Sequence, residues 1–144
     1  RDWSSDVCSS DLRTMQLMPT YDDVVGEVGE FFRQALATAV ASGIDPMRIV
    51  LDPGIGFGKT PEHNRQLLVA LSSFMNFGRP LLVGVSRKSF LGWVTGTREI
   101  ADRYWPGVAM TSYSRERGAR IFRVHDPKPH SEALRMTEAI LGDA

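Results

Sequence analysis

Arg48-Ile49-Val50-Leu51-Asp52-Pro53-Gly54-Ile55-Gly56-Phe57-Gly58-Lys59-Thr60 is the stretch on which the fold turns. Residues 48–52 are short, β-branched and bounded by Pro46 and Pro53, which reads as a strand. Thr60-Pro61 then opens a helical stretch that runs to about residue 77. The alternation recurs downstream: residues 81–86 read as a strand followed by helical sequence to about 117, and residues 119–126 as a strand followed by a helix over 131–141. Upstream, Val24, Val25, Val28, Phe31, Phe32, Leu36 and Val40 repeat at helical spacing across residues 21–43, with Thr20 and Asp23 as a start signal and Gly43 as a stop. Successive strand-then-helix units with helix-length crossovers imply parallel strands.

Two α/β architectures use this repeat, the open doubly wound sheet and the closed eight-stranded barrel. The strand ends favour the barrel. In period-two order Val50 shares a face with Asp52, Leu82 with Gly84 and Ser86, and Ile121 with Arg123 and His125. Each strand therefore carries polar or glycine residues on one face at its C-terminal end, where both folds assemble their sites. Residues 13–144 supply about half of the ~250 residues a complete barrel needs, so unpaired sheet edges are expected.

Residues 1–12, RDWSSDVCSSDL, repeat Ser-Ser-Asp followed by an aliphatic residue and show no amphipathic period. They read as a non-native leader resembling translated adapter DNA, or as a disordered tail, set apart from a domain over residues 13–144. Cys8, the single cysteine, excludes an intrachain disulfide framework and suits a reducing cytoplasm. Seventeen basic and seventeen acidic residues cancel, so the field that draws a protein to nucleic acid or anionic membrane is missing and a small-molecule partner is expected. No apolar run approaches the ~20 residues that span a bilayer.

Three stretches bear chemistry. Asp52 to Thr60, DPGIGFGKT, brings backbone close to a ligand through its glycines, yet fails both common phosphate motifs by one position: the P-loop would need glycine at Pro53, the dinucleotide fingerprint glycine at Lys59. Ordinary βα turn chemistry is the competing reading. Gly84-Val85-Ser86-Arg87-Lys88-Ser89 runs a strand directly into hydroxyl and cationic residues, which alone is also the pattern of a solvated helix start. Arg123-Val124-His125-Asp126 puts an arginine and a histidine on one face of an apolar strand, favouring an anionic ligand or an ion pair, with Asp52 as an available partner. His63 and His130 fall at expected helix starts and read as surface residues. With three histidines and a leader cysteine, no protein metal cage is expected.

In this order and spacing, LDPGIGFGK, VGVSRKSFLG and GARIFRVHD resemble signatures of the dihydropteroate synthases, and their joint occurrence is far more specific than any one alone. The resemblance runs over residues 13–144; Thr14-Met15-Gln16 resembles the tail of the loop after the fifth strand, and Asp102 to Pro106 and Arg115 to Ala119 fit the seventh crossover and the approach to the eighth strand. Pro127, where an aliphatic residue is usual, and Ser114, where an apolar one is usual, depart from the pattern.

The resemblance implies units six to eight of a (β/α)8 barrel and the condensation of 6-hydroxymethyl-7,8-dihydropterin pyrophosphate with p-aminobenzoate, the step sulfonamides target. It implies that Asp52, Gly84 and Lys88 bind the pterin, Phe57 and Ser86 the p-aminobenzoate, and Arg123 and His125 the pyrophosphate, with Lys88, Arg123 and His125 as the catalytic set. It further implies Mg2+ held by the first βα loop, upstream of this stretch, and a homodimer. The chain alone is then one wall of a site and is expected to be inactive. A pterin-binding methyltransferase barrel, or a non-catalytic pterin- or phosphate-binding remnant, are the competing functions.

Overall fold

The computed structural model describes residues 20–142. The leader, Cys8 and Thr14-Met15-Gln16 lie outside the described residues. The element order is helix α1 (Val24–Ala41), a 3-10 turn (Pro46–Arg48), helix α2 (Pro61–Val69), a second 3-10 segment (Leu71–Phe77), strand β1 (Leu81–Val83), helix α3 (Ser89–Thr95), a third 3-10 turn (Ala101–Arg103), helix α4 (Tyr104–Glu116), strand β2 (Ala119–Phe122) and helix α5 (Pro127–Leu141).

Helix α1 begins where its sequence says it should. The Asp23 carboxylate accepts from the Gly26 N–H, and Glu27 reaches back to accept from the N–H groups of Asp22 and Asp23, so orphan donors at the entry are satisfied. Its apolar stripe buries Val24, Val28 and Phe32, and the Phe32 ring meets Phe74 edge-on at 5.4 Å. Helix α2 starts on a reciprocal cap: Thr60 Oγ accepts from the His63 N–H, while His63 Nδ1 accepts from the Thr60 N–H. Its continuation buries Leu67, Leu68, Leu71 and Phe74 against β1, whose Leu81 and Val83 are fully enclosed.

The strands are shorter than their sequence suggests. β1 and β2 pair in parallel, Leu82 opposite Ile121 and Val83 opposite Phe122, and the ladder runs on one step as the Arg123 N–H donates to the Val83 carbonyl at 3.0 Å. The expected strand at residues 48–52 is reduced to one parallel bridge, Leu51 with Leu81, on the other side of β1. Its first half is diverted because Pro46 opens a turn and the Asp45 side chain accepts from the Met47 N–H at 2.8 Å, which favours a 3-10 turn over extension. Past Val83 and Phe122 the chains stay near one another but leave the ladder, so residues 84–86 and 123–126 are irregular. The single helix expected after residue 86 is α3, a 3-10 turn and α4, since Gly96 takes a left-handed conformation and ends the first piece. Helix α5 begins earlier than expected, at Pro127, which occupies the first turn where a missing N–H costs nothing. Ser114, the other departure, is fully buried in α4.

Val50 and Ile121 remain exposed at the sheet. Leu67, with no accessible surface, is in contrast central to the core. Leu67→Ala should cost about 2–5 kcal/mol, whereas Met136→Ala on the open face of α5 should stay within about 0.5 kcal/mol. Urea midpoints of the two variants in the same buffer check the contrast.

Candidate active site at the strand ends

Asp52, Gly84, Ser86, Lys88, Arg123 and His125 all lie just beyond the paired segments, and two chains of contacts join them. The first begins at Asp52. One carboxylate oxygen accepts from the Gly54 N–H at 2.8 Å, which folds the start of the glycine-rich loop back on the strand; the other faces Arg123 Nη2 at 3.4 Å. The guanidinium reaches that far because it lies flat on Gly84, where an added Cβ would sit 3.0 Å from both Nε and Nη2. A side chain at position 84 would push the guanidinium off the carboxylate.

Lys88 is held from the opposite side. Its stem lies along Gly56, which has φ +80° and where a Cβ would come within 2.8 Å of Lys88 Cδ, and its ammonium stands 3.4 Å from the centroid of the Phe57 ring. A cation over a ring face is attracted by ~0.5–2 kcal/mol, more as water is excluded. Burial pushes the Lys88 amine below its ordinary value, the Arg123 charge adds to the fall, and Asp52 opposes it. The second chain joins Ser86 to His125: Ser86 Oγ is 3.0 Å from His125 Nδ1 and accepts from the His125 backbone N–H at 3.4 Å. Beside it Arg87, at φ 60°, pairs with Asp126 at 2.8 Å, and Arg103 donates to the Arg87 carbonyl.

Residues outside the expected site set hold this arrangement. Asn64 is buried; its Oδ1 accepts from the Gly56 N–H at 2.6 Å and its Nδ2 donates to the Thr60 carbonyl. The signal was present, because Asn64 precedes Leu67, Leu68 and Leu71 at helical spacing and so stands on the core stripe, where a polar residue calls for a dedicated partner. Lys59, also buried, donates to the Phe57 carbonyl at 3.1 Å. The surface reading of two histidines is corrected. His63 caps α2 and stacks edge-on against Tyr21 at 5.3 Å. His130 is only 3% exposed and its Nδ1 lies 2.7 Å from Thr111 Oγ, tying α5 to α4, because the early start of α5 carries it under the helix pair; burial lowers its pKa, with Asp126 opposing.

An acceptor-only carboxylate thus sits beside two cations, with the Ser86–His125 pair at the neighbouring strand ends. It can take N–H donors of a flat heterocycle at Asp52 and an anion at Arg123. Among the described residues no three His, Cys, Asp or Glu side chains cluster as a metal site would require.

The family profile described as pterin binding enzyme matches residues 7–125, reaching back into the leader. The chain belongs to that family. It is 47% identical over 131 residues to a dihydropteroate synthase of Neisseria meningitidis serogroup B, a match covering 89% of this chain and 46% of the relative. Among solved structures, dihydropteroate synthase from Xanthomonas albilineans in complex with 7,8-dihydropteroate superposes with a TM-score of 0.83 at 40% identity, over 85% of this chain and 47% of that one. The enzyme from Thermus thermophilus in complex with 6HMPPP superposes with a TM-score of 0.85 at 40% identity, over 91% and 51%. The chain therefore spans about half the length of the relatives it matches.

The opposing influences on Lys88 give a signed test. Arg123→Met should raise the Lys88 pKa toward its ordinary value, and Asp52→Asn should lower it further. Titration of the lysine side-chain carbons by NMR in the two variants reads both directions.

Proposed function

We propose that this chain forms the C-terminal part of a dihydropteroate synthase, about units six to eight of a (β/α)8 barrel, with the domain beginning at residue 13. The observation that carries the reading is the union, at adjacent strand ends, of the Asp52 carboxylate with the cationic Arg123 and Lys88 in a member of the pterin-binding family.

In this reading Asp52 accepts from the ring N–H and amino groups of the dihydropterin, and Lys88 donates to its other edge. The flat ring lies over Gly84 after Arg123 moves aside. Phe57 and Ser86 line the p-aminobenzoate pocket. Arg123 and His125 receive the pyrophosphate. The bond between the pterin methylene carbon and the pyrophosphate oxygen breaks with its electron pair going to oxygen, the amine nitrogen of p-aminobenzoate bonds to that carbon, and the nitrogen then loses a proton. Because negative charge grows on the leaving oxygen, donors aimed there stabilise the transition state more than the ground state.

Mg2+, proposed for the whole protein, does not fit the residues here: a hard cation needs several oxygen ligands, and Asp52 stands beside Arg123 and Lys88 with no cluster of acidic groups among the described residues. Its ligands are assigned to the upstream half, and no step is routed through it. A cytoplasmic homodimer acting on small molecules is the accompanying proposal; among the described residues no helix is long and apolar enough to cross a membrane. Alone, the chain supplies one wall of the site and should form no dihydropteroate.

The test grafts residues 13–144 in place of the matching half of the Neisseria meningitidis relative. The chimera should make dihydropteroate from the two substrates. In it, Arg123→Met removes charge-assisted bonds worth ~1.5–3 kcal/mol and should slow the chemical step by roughly ten- to 150-fold, while calorimetric affinity for pyrophosphate-free hydroxymethylpterin changes little. An unchanged single-turnover rate would remove Arg123 from the leaving-group role.

A further inference from the structure

Ser86 and His125 are 39 residues apart in sequence and meet where the two strands leave their ladder. Their two contacts are not equivalent. The His125 backbone N–H can only donate, so at 3.4 Å it uses Ser86 Oγ as an acceptor. The Ser86 hydroxyl has one proton of its own, and among the described residues the acceptor within reach is His125 Nδ1 at 3.0 Å. The reverse arrangement, with Nδ1–H donating, would give Ser86 two donors, turn its own proton out to solvent at this exposed contact, and leave Nε2 bare. The adjacent carboxylate, Asp126, pairs through one oxygen with Arg87 at 2.8 Å.

We propose that the Ser86 hydroxyl is a positioning group that locks the neutral His125 ring as its Nε2–H tautomer. Nδ1 is bare and receives the hydroxyl proton; Nε2 carries the ring proton and has no acceptor among the described residues. The ring therefore presents one fixed N–H donor two residues along the same strand end from Arg123, a donor that a bound oxyanion would share with the guanidinium. This use of the donor rests on the anion-site reading above; the lock itself does not. Ser86 thereby acts through His125, in addition to any direct contact with p-aminobenzoate.

The experiment reads ring nitrogens directly. In the full 144-residue chain labelled with 15N-histidine, at a pH about two units above the ordinary histidine value of ~6.5, long-range 1H–15N spectra distinguish bare from protonated nitrogens. His125→Gln assigns the signal, and His63 and His130 serve as internal references for folding. The expected result is a His125 ring with fully separated shifts, Nδ1 bare and Nε2 protonated, and a collapse toward an averaged pair in Ser86→Ala while His63 and His130 stay unmoved. An averaged or inverted ring in the wild type, or an unchanged ring in Ser86→Ala, would overturn the lock. Should Ser86→Ala disturb the reference histidines, the wild-type ring alone decides: separation with Nδ1 bare supports the lock, and averaging or inversion overturns it. Added inorganic pyrophosphate should move the Nε2 resonance; a locked ring indifferent to it would overturn the anion role of His125 while supporting the lock.

Discussion

The register of β1 against β2 governs everything at the strand ends. One hydrogen bond, from the Arg123 N–H to the Val83 carbonyl, extends the parallel ladder past its last formal pair and fixes where the arginine side chain leaves the backbone. From that point the guanidinium falls on Gly84 and reaches Asp52, and two residues further His125 falls on Ser86. A slip of one residue would move each of these side chains to the other face of the sheet. The buried neighbours Leu81, Val83 and Val85 prevent that slip, because it would turn them toward solvent. Apolar burial on one face thus sets the polar arrangement on the other.

The glycine-rich loop shows how a mobile composition is given one shape. Three of its contacts come from polar groups: Asp52 takes the Gly54 N–H, Asn64 takes the Gly56 N–H, and the buried Lys59 donates to the Phe57 carbonyl. The contacts of the buried Asn64 and Lys59 are the costly ones to break, since their polar groups would be left without water to replace the partner, whereas the half-exposed Asp52 contact adds direction to the loop. The loop is consequently braced by helix α2 on one side and by its own strand on the other, and it carries the Phe57 ring to Lys88 in a defined position.

Period-two alternation made the common face readable in advance: Gly84 and Ser86 do stand with Arg123 and His125, and Asp52 joins them. It could not show that the strand at residues 48–52 would shrink to a bridge, because β-branched propensity in Ile49 and Val50 competes with the Asp45 side-chain turn, and in the described chain only β1 pairs with that stretch. Nor could it find the partners of Asn64, His63 and His130. Helical spacing reports which face a residue occupies, whereas a cap or a buried hydroxyl partner depends on a second segment whose approach is set by packing. Thr111, 19 residues before His130, is such a case.

The long contact between Arg123 and Asp52 has a consequence for how such a site handles charge. At 3.4 Å, with the arginine side chain 59% exposed and the aspartate 33%, the pair lies in a wet environment where ion pairs contribute ~0–1 kcal/mol. Each charge masks the other at rest, yet parting them costs little. The contact resembles an unlatched clasp: a molecule bringing donors for the carboxylate and an anion for the guanidinium would exchange one weak internal pair for two external ones, and occupation of either half would release the other.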